Sequence, residues 1–273
     1  MNEPATLLSR GVERVRHELK FRILDVVNVE RLSPRMVRVS LSGEDLRGFV
    51  SAAYDDHVKL FFPEGGAPAV RPEPSPNGMV FPDGQRSPAR DYTPRRFDAA
   101  ANRLDIDFVI HGDGPASLWA EQAAVGQTLA VGGPRGSFVV TGLFDWFLLV
   151  GDETSLPAIG RRLEELPAGV PVIALIEIAD AAEEQPIAPR DGLQLRWLHR
   201  NGAEPGTTDA LAEAVEALTL PTGEGYCFVA GETAMSKRVR THLVEQRGLN
   251  PDWIKAAGYW QRHASDFDDG HAH

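Results

Sequence analysis

The hydrophobic pattern of this chain changes period near Gly142. Upstream, apolar residues fall in short alternating or β-branched runs at 21–30, 36–41, 57–62, 104–110 and 128–131, with Pro, Gly and Asp clusters between them. Strands of that length, with one convincing helix among them, predict an antiparallel barrel. Downstream, residues 146–150 and 172–178 are continuous apolar runs, the pattern of strands buried on both faces. Helical spacing at 155–166, 208–218 and 234–247 alternates with these and with shorter runs at 193–198 and 225–230. Strand and helix in turn make a parallel sheet with helices on its faces. The pattern therefore predicts a β plus α/β chain: a polar helix or arm at 1–19, an antiparallel barrel at 20–140, and a three-layer α/β domain with a tail at 141–273. Thr208 is the expected cap of the middle helix and Gly248 the expected stop of the last. The Pro-, Gly- and Ser-rich stretch 65–88 has no period and reads as a long loop.

Composition removes several classes of function. No run approaches the roughly 18 apolar residues of a membrane span, and residues 1–20 are charged, without the apolar core of a signal peptide. The single cysteine, Cys227, leaves no intrachain disulfide framework and reads as core. The expected compartment is the cytoplasm. Residues 1–140 carry 17 Lys and Arg against 18 Asp and Glu, whereas 141–273 carry 11 against 21. Neither part offers the basic footprint of a nucleic-acid binder. The eight histidines are scattered, with His271 and His273 in a polar tail, so no resident metal is expected. There is no Gly-x-Ser-x-Gly elbow and no phosphate loop.

Three stretches carry chemistry. In Arg90-Asp91-Tyr92-Thr93, a strand would put Arg90 and Tyr92 on one face and Thr93 on the other. A planar guanidinium for phosphate, a flat ring and a hydroxyl together suit a flavin nucleotide; a charged turn is the plainer reading. In His111-Gly112-Asp113-Gly114-Pro115-Ala116-Ser117, a strand ends and a helix begins near Pro115. The N–H groups of that turn and the Ser117 hydroxyl suit a pyrophosphate; an ordinary strand-to-helix turn is the alternative. The third, Gly151-Asp152-Glu153-Thr154-Ser155, joins the first buried strand to the next helix, and Gly231-Glu232-Thr233-Ala234 has the same form. Ligands of open α/β sheets sit at such strand ends. The glycine fingerprint for a dinucleotide is missing, and the two carboxylates of the first turn would repel a pyrophosphate laid directly on it.

The order of these motifs is more specific than any one of them. Arg-x-Tyr-Thr-x-Arg is followed by Asp-Phe-Val-x-His-Gly-x-Gly-Pro-Ala-Ser-x-Trp-Ala, then Gly-Pro-Arg-Gly, Gly-Asp-Glu-Thr-x-Leu-Pro-Ala-Ile, Ala-Gly-Glu and a late Gly-Tyr-Trp. The series resembles the siderophore-interacting protein family of flavin-dependent ferric-siderophore reductases, in the ferredoxin-reductase-like superfamily, and the resemblance covers residues 21–262. The resemblance implies an FAD-binding barrel followed by a nicotinamide-nucleotide-binding α/β domain, and transfer of electrons from NADPH or NADH through FAD to Fe(III) in a siderophore.

Carried over, Arg90 would hold an FAD phosphate, Tyr92 would pack on the isoalloxazine, and Thr93 would sit near its reactive edge. Asp107, Val109, His111, Gly114, Ala116 and Ser117 would line the rest of the FAD. Asp152, Thr154, Gly231 and Glu232 would face the nicotinamide nucleotide. Lys59, Lys255 and Arg262 are the cations expected to attract an anionic ferric chelate. The family run continues with a basic residue and a glycine, where this chain has Gln261-Arg262-His263. Arg196, Arg200 and Arg238 are candidates for a 2′-phosphate. Two other readings stay open: a flavin reductase serving another acceptor, such as a ferredoxin-type partner, and a binding protein that holds an iron chelate without turnover.

Overall fold

The structure, a computed structural model, describes residues 10–63, 69–75, 78–80, 87–112 and 114–264. Asp113, His271, His273 and parts of the 65–88 stretch lie outside the described residues. The chain divides into two compact units, one of Arg14–Phe138 and one that takes Val139 onward together with the start of the chain up to Glu13.

The first eleven strands are β1 (Gly11–Arg16), β2 (Phe21–Ser33), β3 (Met36–Ser42), β4 (Val58–Phe61), β5 (Glu73–Ser75), β6 (Gly78–Val80), β7 (Ala89–Tyr92), β8 (Pro94–Asp98), β9 (Arg103–Val109), β10 (Thr128–Gly132) and β11 (Gly136–Thr141), with helix α1 (Pro115–Glu121) before β10. Seven of them form one antiparallel sheet in the order β7-β4-β10-β2-β3-β9-β8. Its edge strands, β7 and β8, are separated in sequence by Thr93 alone. One residue spans opposite edges only if the sheet curls until they approach each other, so Thr93 marks the seam of a curled barrel. Alternation fills the interior: Leu24 and Val26, Val37, Val39 and Leu41, Val58 and Leu60, and Leu104, Ile106 and Phe108 are all buried. Two features depart from the sequence pattern. The arm expected at 1–19 includes the strand β1, and β5 pairs with β6 inside the stretch expected to be a loop.

The second unit holds β12 (Trp146–Asp152), α2 (Leu156–Glu165), β13 (Val172–Ile178), β14 (Leu193–His199), α3 (Ala210–Glu216), β15 (Gly225–Glu232), α4 (Thr233–Thr241) and β16 (Ile254–Trp260). Its sheet runs β14-β13-β12-β15-β16 with every pair parallel. Every residue of β12, β13 and β15 is buried, as their unbroken apolar runs require. Leu211 and Val215 of α3 and Val239 of α4 pack with Leu148, Val150 and Val229 on one face. Arg162 of α2 lies over the ring of Phe147, on the other face, 4.9 Å from its centroid. Thr208 does not cap α3. Its hydroxyl donates to Glu177, and Asp209 occupies the cap position. No described helix is long and apolar enough to cross a membrane.

Candidate functional site

In the first unit, the register sets Leu60 opposite Arg90 and Val58 opposite Tyr92. Both motif side chains thus point to the core-facing side of the sheet, and Thr93 is buried at the seam. The Tyr92 ring lies 4.5 Å from Phe108 and 6.4 Å from Phe62, and Trp119 of α1 completes the cluster 5.6 Å from Phe108. Burial pushes the Tyr92 phenol well above its ordinary pKa, with Arg90 opposing the shift. The Arg90 guanidinium donates to the Ala89 carbonyl at 2.8 Å and stays half-buried. The Arg-x-Tyr-Thr stretch and the strand leading to His111 therefore meet through two rings.

Asp107 and Val109 point to the other side of β9, because Leu104, Ile106 and Phe108 take the core side. The Asp107 carboxylate is gripped by the Arg38 guanidinium at 2.7 and 2.8 Å, with Arg95 4.0 Å away. This fork is a charge-assisted, bidentate pair between directly opposed residues of β3 and β9. It commits the Asp107 side chain to the protein, so any FAD contact there falls to the backbone. At the following turn, the His111 N–H donates to the Ser117 hydroxyl oxygen at 2.8 Å. Ser117 braces the turn and keeps its proton for a second partner, Gly114 precedes α1 without a side-chain cap, and Ala116 is buried behind them.

A Ser, His and Asp also meet in this unit, in an order that rules out a nucleophilic triad. The Ser137 hydroxyl donates to Asp56 at 2.7 Å and lies 2.7 Å from His17 Nε2. The serine stands between the other two and is wholly buried, so it ties β11 to the segments that carry His17 and Asp56.

In the second unit, strand order reverses between β12 and β15, which is where open α/β sheets bind ligands. Asp152 ends β12 and Glu232 ends β15. The Asp152 carboxylate accepts from the Thr154 N–H at 2.9 Å, the Thr154 hydroxyl at 2.5 Å, the Glu232 N–H at 3.1 Å and the Trp260 indole N–H at 2.8 Å. Burial and then the neighbouring Glu153 push its pKa up to about 6, against the pull of those donors. Gly231 has φ +151°, and a Cβ there would stand 2.6 Å from Asp152 Oδ2, so only glycine admits the carboxylate. Glu232 caps α4, accepting from the Ala234 N–H at 2.6 Å and the Met235 N–H at 3.1 Å. The helix terminus that would bind a phosphate is thus filled by the chain's own carboxylate. The two carboxylates can accept from the hydroxyl and amide hydrogens of an uncharged nucleotide end, and they would repel a pyrophosphate.

The cations distribute unevenly. Lys59 pairs with Asp91 at 3.0 Å on the outward side of β4 and β7, away from the side that holds Arg90 and Tyr92. Lys255 lies near the amino end of β16, roughly 16 Å along the strand from Trp260. The structure therefore separates Lys255 from the carboxyl-end site. Arg262 does sit there: its backbone N–H reaches Glu232 Oε1 at 3.5 Å. Arg200 is buried between Glu153, 2.7 Å away, and Glu177, 3.4 Å away. Arg238 pairs with Asp209 at 2.6 Å and Glu216 at 3.0 Å. Both are engaged by carboxylates, whereas Arg196 is exposed in the middle of β14. Sequence reasoning missed Arg38 and Trp260 as partners of site carboxylates. The alternation that puts Arg38 beside Asp107 was readable only once β3 and β9 were known to pair.

A family model described as "Siderophore-interacting FAD-binding domain" matches residues 25–138, and one described as "Siderophore-interacting protein" matches residues 144–263. The NADPH-dependent ferric-chelate reductase of Escherichia coli (strain K12) is 40% identical over 254 residues, 92% of this chain and 97% of that protein. The ferric vibriobactin reductase ViuB of Vibrio cholerae is 34% identical over 261 residues, 93% of each chain. The crystal structure of a siderophore utilization protein from T. fusca superposes with a TM-score of 0.87 at 44% identity, covering 96% of this chain and 99% of that one.

Proposed function

The chain belongs to the siderophore-interacting protein family, and we propose that it is a ferric-siderophore reductase that takes electrons from NADPH or NADH through non-covalently bound FAD. The observation that carries this reading is the meeting at the barrel seam of the Arg90-to-Thr93 stretch with the strand leading to His111, 4.5 Å apart at Tyr92 and Phe108. The residues there fit FAD. Arg90 supplies a cation for a phosphate, Tyr92 a half-buried aromatic surface and Thr93 a hydroxyl. The backbone at Val109, His111 and Gly114 and the Ser117 hydroxyl would hold the remainder.

Bound FAD accepts two electrons as a hydride and gives them up singly, which is the chemistry a one-electron Fe(III) acceptor requires. The protein's residues bind and orient. In the second unit, Thr154, Glu232 and the Gly231 turn would receive the uncharged end of the nicotinamide nucleotide. The substrate is the ferric chelate, whose hard oxygen donors hold Fe(II) much less well than Fe(III). NADPH is the donor in the name of the Escherichia coli relative. Ferric chelates are the substrates named for both reductases. No nucleophile is needed, and the buried Cys227, its thiol pushed by burial up to about 12, offers none.

The test is spectroscopic. Purified protein incubated with FAD and desalted should be yellow, and anaerobic NADPH should bleach it. A colourless protein that gains no thermal stability from FAD contradicts the proposal.

A further inference from the structure

Trp260 belongs to β16, and Asp152 belongs to β12. These strands are not neighbours, since β15 lies between them. Strands two places apart in a sheet are separated by roughly 9–10 Å. For the Trp260 indole N–H to reach Asp152 Oδ2 at 2.8 Å, the side chain must cross the carboxyl end of β15. It thus lies over the place where strand order reverses. Three further contacts fix it there. The Thr233 hydroxyl donates to the Trp260 carbonyl at 2.9 Å. A Cβ on Gly206 would stand 2.9 Å from the far edge of the indole, so the ring is seated against that backbone. The Arg262 backbone N–H, two residues on, reaches Glu232. Trp260 is nonetheless only half-buried.

Asp152, by contrast, is 5% exposed, and its oxygens already accept four hydrogen bonds from the protein. We infer that Asp152 is a positioning residue: it holds the Trp260 indole across the end of β15 as a wall for the nicotinamide nucleotide, and does not itself touch the nucleotide. The inference rests on the proposed function. It differs from the expectation that Asp152 faces the nucleotide directly. An aromatic wall of this kind stacks on a planar ring and is worth the most when its orientation is fixed before binding.

A double-mutant cycle tests it. FAD-loaded wild type, Asp152→Asn, Trp260→Phe and the double variant are titrated anaerobically with NADPH, giving the Kd for the nucleotide and the limiting rate of flavin reduction. Trp260→Phe removes the Trp260–Asp152 bond and Asp152→Asn takes the charge from it, and each should raise Kd about three- to tenfold. The limiting rate should change less than about twofold, a split that general loosening of the unit would not produce. The double variant should be no weaker than the weaker single one, because both act on the same contact. Two results overturn the inference: wild-type Kd in Trp260→Phe, which removes the N–H together with part of the indole wall and stands alone should Asp152→Asn fail to fold, or penalties that multiply in the double variant, which would mean that Asp152 acts on the nucleotide itself. A wild type that NADPH does not bleach at all would overturn the proposed function as well.

Discussion

Asp152 and Trp260 are 108 residues apart and joined by a 2.8 Å hydrogen bond from the indole N–H to the carboxylate. The bond spans three strand ends and closes the carboxyl edge of the parallel sheet around a buried acid. Burial and Glu153 lift that acid from an ordinary 3.8 to about 6.

This shift has a sign that denaturation can read. Between pH 3.8 and about 6 the folded state binds more protons at Asp152 than the unfolded chain does. Its contribution to stability is therefore fully present below the lower value and is lost as pH rises to the upper one. Stability of the wild type, minus that of Asp152→Asn, should fall across this window and stay flat above it. A difference that does not change with pH contradicts the assignment.

Arg90→Ala should weaken FAD binding by about 1.5–3 kcal/mol, the range for a hydrogen bond to a charged group, or roughly 10- to 150-fold in affinity. Melting of the FAD-free protein should be nearly unchanged, because the side chain is half-buried and pairs with a local carbonyl. Fluorescence titration of FAD decides it, and wild-type affinity would remove Arg90 from the site.

Arg200→Ala should destabilise the second unit by about 3–5 kcal/mol, because it leaves Glu153 and Glu177 inside without their cation. The same engagement keeps Arg200 from a 2′-phosphate. Arg200→Ala protein that still folds should keep the wild-type ratio of NADPH to NADH affinity. Denaturant unfolding checks the first statement, and titration with each nucleotide the second.

Much of this was legible in the sequence for reasons that the structure makes clear. Period-2 runs such as Leu104, Ile106 and Phe108 and unbroken runs such as 172–178 are local, and each declares its strand type by itself. The strand Ile254–Trp260 was not declared, because Lys255, Ala256, Ala257 and Gly258 lack the β-branched and aromatic residues of a typical strand. The motif residues were legible by their order, but their partners were not. That Asp107 is spent on Arg38, Thr208 on Glu177 and Arg200 on Glu153 depends on tertiary contacts between residues 30 or more positions apart. Spacing likewise gave no sign that Lys255 and Arg262 sit at different distances from the strand ends.

Lys59 gives a test with two signs. If it attracts an anionic ferric chelate, Lys59→Ala should raise the apparent KM for the chelate at low salt. Asp91→Asn, which frees the lysine from its 3.0 Å partner, should lower it, and both effects should shrink as salt rises. Lys255→Ala should change neither the rate of flavin reoxidation nor its salt dependence. Identical chelate kinetics in all three variants would place the chelate away from Lys59.

An electron count tests ferric-siderophore reduction itself. Under anaerobic conditions, FAD-loaded protein, limiting NADPH and excess ferric siderophore are mixed with a strong Fe(II)-specific chromogenic chelator. Two Fe(II) should be captured for each NADPH consumed, because one hydride carries two electrons and each Fe(III) takes one, with no iron released when FAD is omitted. NADPH consumed without Fe(II) appearing, or Fe(II) appearing at the same rate without FAD, would contradict flavin-dependent reduction of the ferric siderophore.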